Sequence, residues 1–400
     1  MKEGWKQIRV EDAISILNGF AFKSNKYVAS GIRVIRITNV QKGYVEDADP
    51  RYYPIEEKES IRKYLLEEGD ILMSLTGNVG RVGILTSNLL PCALNQRVAC
   101  LRLKSKDVSK RFVFYYFNSD GFEKSCINSS QGIAQLNMST EWLKEQVLPL
   151  PPLSEQQRIV NLLDAEFAKI DALKANAERN LQSAKDLFQA ALKKKLEPKE
   201  GWEKKKLGEI AEFKNGLNFG KEQGRSKYHF LGVGDFREHT IIDTDTLGYI
   251  CQDRIDPEYY LKDNDIVFVR SNGSRNLIGR SLLIKSGNEP SVFSGFCIRC
   301  RFLSSMLLPQ YAMRFFSLDT TKKILTSSGG GCNISNLNQK VLSSLVIPFP
   351  TKIVEQTDIV SSIAKMESHC KTLQANYEKT IALCDDLKQA LLRKAFNGEI

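Results

Sequence analysis

The chain has 400 residues, is 42% hydrophobic and 26% charged, and carries a formal net charge of +10. This is an ordinary globular composition, long enough for two or three domains. It contains no run near the roughly 18 apolar residues of a membrane span. The first residues, MKEGWKQIRVED, lack an apolar signal core, so a cytoplasmic protein with no membrane association is expected. Nine cysteines are scattered singly except Cys297 and Cys300. FCIRCRF reads as alternating strand positions rather than a metal site, and His229, His239 and His369 form no ligand pair, so no metal is expected. The charge is uneven: +4 over residues 1–154, +1 over 155–200, +5 over 201–351 and zero over 352–400. A basic excess of this size fits a polyanion partner without establishing one.

In chain order, residues 1–153 form a first module whose signals are mostly β. Residues 31–40 alternate apolar and polar side chains like a half-buried strand. Residues 69–85 read as strand, glycine-rich turn, strand, and residues 93–103 as one further strand. Residues 110–119 are aromatic-rich and fit either a short buried helix or a strand. PLPPLSEQQ then stops the module, with Ser154 and Gln157 placed to cap a helix.

Residues 154–198 read as one amphipathic helix of about 60 Å at 1.5 Å per residue. Pro198 and Gly201 end it. Residues 199–352 form a second module and residues 353–400 a second long helix. The helices correspond at an offset of 200: Glu155-Gln156 falls on Glu355-Gln356, Ile159-Val160 on Ile359-Val360, and Gln189-Ala190 on Gln389-Ala390. A seam with a mean spacing of 3.5 residues runs through Ile159, Leu163, Ile170, Leu173, Ala177, Ala184 and Leu187. The second copy has Ile359, Ile363, Met366, Cys370, Leu373, Tyr377, Cys384 and Leu387. Such seams want a partner helix, most simply each other. The modules correspond too: Asn18-Gly19 with Asn215-Gly216, Gly80-Arg81 with Gly279-Arg280, LPLP with IPFP. A period near 200 is a duplicated domain rather than a repeat array. The expected fold is α+β: two mixed α/β modules separated by two long helices in an antiparallel coiled coil, with pseudo-twofold duplication.

No catalytic constellation stands out. GLNFGKE (residues 216–222) misses a phosphate-binding loop by one residue between its glycines, and no GxGxxG, HExxH or GxSxG set appears. Asp263 and Asp265 read as a solvated turn. The modules do carry polar loops suited to base edges, where Arg pairs with guanine and Asn or Gln with adenine. In the first module these are Lys23, Arg36, Asn39, Thr76, Asn78, Arg81, Asn95, Gln96, Arg97, Gln131, Gln135 and Asn137. The second offers Asn218, Lys221, Arg270, Asn272, Arg275, Asn276, Arg280, Asn333, Asn336 and Asn338. The same residue types also dominate ordinary turns.

Asn18-Gly19 with Phe22-Lys23, the GDILMSLTGNVGRVGI block, QGIAQLN before LPLPPLSEQQRIV, and the ending LLRKAFNGEI together resemble the specificity subunit of Type I restriction–modification systems. The resemblance spans essentially the whole chain, and departs most at GGGCNISNLN and FPTKIVEQ. It implies two target recognition domains on double-stranded DNA, each reading half of an asymmetric, bipartite target. It implies a non-catalytic chain whose helices dock two methyltransferase subunits, with two restriction/translocase subunits completing a methyltransferase and endonuclease complex. S-adenosylmethionine, ATP and magnesium would belong to those partners, none to this chain. A coiled-coil scaffold with two protein-binding modules is the alternative, and predicts salt-insensitive binding.

Overall fold

The computed structural model describes residues 4–130, 136–218, 224–236, 240–272, 277–327 and 336–400. The first module runs β1 (Lys6–Arg9), α1 (Val10–Ala13), β2 (Ile14–Asn18), β3 (Ile32–Ile35), β4 (Gly43–Tyr44), β5 (Tyr52–Tyr53), β6 (Ile71–Ser74), β7 (Val82–Ile84), β8 (Cys92–Leu94), β9 (Val98–Leu103), α2 (Lys110–Phe117), α3 (Asp120–Ser129), α4 (Thr140–Glu145) and β10 (Val147–Leu150). The long helix α5 (Leu153–Lys195) follows. The second module repeats the order: β11 (Trp202–Lys206), α6 (Leu207–Ile210), β12 (Ala211–Asn215), β13 (Ser226–Leu231), β14 (Ile241–Asp243), β15 (Tyr249–Gln252), β16 (Ile266–Val269), β17 (Ser281–Lys285), β18 (Ser291–Phe293), β19 (Cys297–Phe302), α7 (Pro309–Phe316), α8 (Asp319–Ser327), α9 (Gln339–Ser344) and β20 (Val346–Pro350). The second long helix is α10 (Ile353–Phe396).

Contacts divide the chain into two units, Met1–Glu178 with Lys379–Ile400, and Arg179–Glu378. The first unit holds a five-stranded sheet ordered β2-β9-β6-β7-β4, a three-stranded sheet β5-β3-β8 and the pair β1-β10. The second repeats this as β12-β19-β16-β17-β14, β15-β13-β18 and β11-β20. The central strands ILMS and IVFV are buried throughout, because both sheet faces are covered. Ile71 and Met73 enter the core shared with α2, α3 and the long helices, while Leu72 enters the core shared with the small sheet.

Two strand expectations change. Of residues 31–40 only Ile32–Ile35 is strand, because the chain turns at Asn39. Residues 93–103 divide into β8 and β9, because Asn95 closes a turn: its carbonyl accepts from Val98 N–H (2.9 Å) and its Oδ1 from Arg97 N–H (3.3 Å). The aromatic segment is helical, with the Ser109 hydroxyl accepting from Phe112 N–H (3.4 Å) as its cap.

Ser154 does not cap the first long helix. The helix begins at Leu153, the Pro152 carbonyl accepts from Glu155 and Gln156 N–H, and the Gln157 amide turns to Asn161 Oδ1 (2.8 Å) instead of back to a capping box. The expected seam also shifts. Ile159, Leu163, Ile170, Ala177, Ala184, Ile359, Ile363, Cys370 and Cys384 are buried, and Met366 and Tyr377 half-buried. Leu173, Leu187, Leu373 and Leu387 are exposed, at 51%, 60%, 41% and 49%. From Ile170 and Cys370 onward the second residue of each heptad lies one place later, at Lys174, Leu181, Phe188, Gln374, Ile381 and Lys388, all half-buried. Within the first unit the reason is visible, since two of these residues reach across the helix pair. Lys174 Nζ contacts Asp385 Oδ1 at 2.7 Å, and Lys388 pairs with Asp171. The head of α5 and the tail of α10 therefore run antiparallel there.

A buried glutamine fixes each helix head. Gln156 has no exposed surface; its Oε1 accepts from Ser109 N–H (2.7 Å), and its Nε2 donates to Asp107 O (3.0 Å) and Pro151 O (2.8 Å). Gln356 repeats this with Leu308 N–H (2.8 Å), Met306 O (2.7 Å) and Pro350 O (2.8 Å). Helix tails are held by the other matched pair. Gln389 accepts from Asp120 N–H (2.9 Å) in the first unit, and Gln189 accepts from Asp319 N–H (3.2 Å) in the second.

Replacing Gln156 by Leu strands one buried N–H and two carbonyls at costs of about 1–3 kcal/mol for an unsatisfied group. The first unit should lose about 3 kcal/mol in urea unfolding followed by hydrogen exchange, and Gln356→Leu should do the same to the second.

Candidate nucleic-acid interface

Four chain segments meet at one edge of each module, stitched by backbone hydrogen bonds. In the first, Phe20 N–H donates to Leu94 O (2.8 Å), Gln96 N–H to Phe20 O (2.9 Å), Leu75 N–H to Arg97 O (3.0 Å), and Met138 N–H to Leu75 O (2.8 Å). In the second, Leu217 N–H donates to Phe293 O (3.0 Å), Gly295 N–H to Leu217 O (2.8 Å), Arg270 N–H to Phe296 O (2.8 Å), and Leu337 N–H to Arg270 O (2.9 Å). The close approach requires glycine: a Cβ on Gly19 would stand 2.2 Å from Asn95 O, and one on Gly216 2.3 Å from Phe293 O. The same construction thus gathers residues 20–23, 75–78, 95–97 and 136–138, and their counterparts near 217, 270, 295 and 337.

The predicted residues separate by what they already bind. Asn39 is buried; its Oδ1 accepts from Arg36 N–H (3.0 Å) and its Nδ2 donates to Glu46 O and Ala48 O. Arg36 pairs with Asp49 at 3.0 Å. Thr76 is buried and donates to Asn137 Oδ1 (3.0 Å). Arg81 Nη1 donates to Gln41 Oε1 (2.7 Å), and Arg280 Nη1 to Phe236 O (3.3 Å). Arg270 is half-buried and reaches Gly295 O at 3.5 Å. Asn338 caps α9, accepting from Val341 N–H (2.9 Å). These side chains hold loops in place. Lys23, Asn78, Gln96, Arg97, Asn137, Asn218 and Asn336 are exposed, while Asn95 and Asn272 are half-buried. Gln131, Gln135, Lys221, Arg275, Asn276 and Asn333 lie outside the described residues, as do 219–222 of the GLNFGKE segment.

Asp265 is not on a solvated turn. It is 1% exposed, grips Arg301 through both carboxylate oxygens (2.7 Å each) and accepts from Lys262 N–H. Asp70 holds Arg102 in the same way at 2.9 and 2.7 Å. Hydrogen bonding to Asp70 raises the Arg102 pKa above its usual range. Cys297 and Cys300 face different cores across their sheet, and burial pushes the Cys297 thiol up to about 12. No helix among the described residues is long and apolar enough to cross a membrane.

The family model described as "Type I restriction modification DNA specificity domain" matches residues 2–181 and again 199–382. The chain belongs to that family. Each match takes in one module and the first part of the long helix after it, so the family unit is the duplicated unit of this chain. The StySPI specificity subunit of Salmonella potsdam is 25% identical, with all of this chain and 90% of that protein covered. The EcoKI specificity subunit of Escherichia coli K12 gives the same identity and coverage. The fold is that of a chain in the solved structure described as "Structural basis underlying complex assembly and conformational transition of the type I R-M system". That chain has a TM-score of 0.77 at 17% identity, with 100% of this chain and 99% of that one covered. The α+β architecture of two repeated sheet modules with two long helices is therefore the family's.

The sequence shows Gln156, Gln356, Gln189 and Gln389 only as identities between the copies; their role in holding helix heads and tails appears in the structure alone. Asn39→Ala should cost about 2 kcal/mol through lost buried hydrogen bonds, whereas Asn78→Ala should leave stability within about 0.5 kcal/mol. Thermal unfolding of the two variants separates a loop-holding residue from one turned to solvent.

Proposed function

We propose that this chain is the non-catalytic DNA-recognition subunit of a Type I restriction–modification complex. Each module reads one half of an asymmetric, bipartite duplex target. One observation carries the reading: the same stitched edge is built twice, and different side chains stand on it. Identical scaffolds bearing different polar heads recognise different base sequences, because hydrogen-bond donors and acceptors in the major groove discriminate bases. The basic excess over residues 1–154 and 201–351 supplies phosphate attraction.

The long helices dock two methyltransferase subunits, and two restriction/translocase subunits complete the complex. The outward leucines support this. Leu173 matches Leu373 and Leu187 matches Leu387 across the duplication, so the same apolar pattern is offered twice. S-adenosylmethionine, ATP and magnesium act in those partners, which carry out adenine methylation and cleavage.

Genome-wide adenine methylation in cells with and without this gene tests the reading. A bipartite motif with two unlike halves should vanish on deletion. Asn78→Ala should relax one half and leave the other intact; equal loss in both halves would count against modular readout. Leu173→Glu combined with Leu373→Glu should weaken co-purification of the methyltransferase at least ten-fold, while binding of the chain to heparin stays unchanged.

A further inference from the structure

The turn between the last two strands of the stitched edge has the same backbone in both modules and opposite chemistry on it. Arg97 N–H is held by Asn95 Oδ1 (3.3 Å) and Phe296 N–H by Ser294 Oγ (3.2 Å). Val98 N–H closes on Asn95 O (2.9 Å) and Cys297 N–H on Ser294 O (2.8 Å). By these bonds Gln96 corresponds to Gly295 and Arg97 to Phe296. The residue after the Phe20 or Leu217 bridge is Ala21 in one module and Asn218 in the other.

Two exchanges follow. A Cβ on Gly295 would lie 2.2 Å from Asn218 Oδ1, so the Asn218 amide occupies the space where the Gln96 side chain begins in the first module. Each module thus brings one carboxamide side chain to this turn, Gln96 from the turn itself and Asn218 from the segment beside it. Beside it the first module presents an exposed guanidinium, Arg97, and the second a phenylalanine that is 55% exposed. The Phe296 N–H and carbonyl are both hydrogen-bonded, to Ser294 Oγ and from Arg270 N–H, which fixes its backbone at the edge, and its ring stands outside the buried core.

We infer that Phe296 is a specificity-determining residue that packs on a thymine methyl group in the second half-site, where the first module directs Arg97 at a purine. The chemistry is that of the major groove: an apolar side chain meets the thymine 5-methyl, the neighbouring carboxamide suits adenine, and arginine suits guanine O6 and N7. This rests on the DNA-recognition reading above.

The methylation motif of the assembled complex first supplies the second half-site. Each thymine in it is then replaced singly by deoxyuridine, which removes only the methyl group, and binding by the complex is measured. One replacement should weaken binding about four-fold, the worth of one buried methyl. Phe296→Leu should keep that difference and Phe296→Ser should erase it, with no change at first-half thymines and an unchanged melting temperature. The absence of any deoxyuridine effect in the second half-site, or an effect equal in the wild type and Phe296→Ser, overturns the proposal. Absence of any directed methylation strikes the functional reading itself, and is a separate outcome.

Discussion

A glutamine shut off from water holds the head of each long helix, and the rest of the arrangement follows from it. The side chain of Gln156 supplies one acceptor and two donors to the loop before α2 and to the proline carbonyl before its own helix. Gln356 does the same beside α7. Buried backbone groups need partners, and a carboxamide answers both kinds with one planar group. The direction in which each helix leaves its module is thereby set by hydrogen bonds, and apolar packing fills in behind. In the first unit that packing includes Ile159 and Leu163 from α5 and Leu392 and Ala395 from α10.

On this frame the modules keep what builds and vary what reads. The gripped arginine of strands β9 and β19, Arg102 with Asp70 and Arg301 with Asp265, recurs, as do the glycines at the stitched edge. At the turn the pattern stops: Gln96-Arg97 corresponds to Gly295-Phe296. The ion pairs between the helices also differ, since the Lys174 and Lys388 contacts of the first unit fall on Gln374 and Phe188 in the second copy. Duplication fixed a scaffold, and divergence acted where the scaffold makes no demand on the side chain.

The duplication, the strand-rich modules and the two long helices could be read from the chain because they are written as repeated identities and as periodicity. The exact seam could not. Leu173 and Lys174 compete for one place, hydrophobicity favours the leucine, and cross-helix aspartates reward the lysine. Three consecutive polar residues, Asn95-Gln96-Arg97, break the alternation between Leu94 and Val98 and mark the turn, but the apolar segments on either side read together as one strand. Among polar residues, type alone does not separate Asn39 and Asn338, spent on loops and caps, from Asn78 and Gln96, turned to solvent. That distinction depends on the local course of the backbone, since the partners of Asn39 and Asn338 lie only three to nine residues away.

Contacts place residues 379–400 with residues 1–178, while residues 179–378 form a unit from one continuous stretch. Order of synthesis and order of completion therefore disagree. The second unit has all its parts once residue 378 has left the ribosome. The first, although made earlier, lacks Leu392 and Ala395 of its core and the Gln389 tether until the final stretch emerges. A nascent chain carries an unfinished N-terminal module, with its apolar helix-binding face uncovered, through the synthesis of some 200 further residues. In that interval it is open to wrong pairing, above all with the matching helix of another nascent copy.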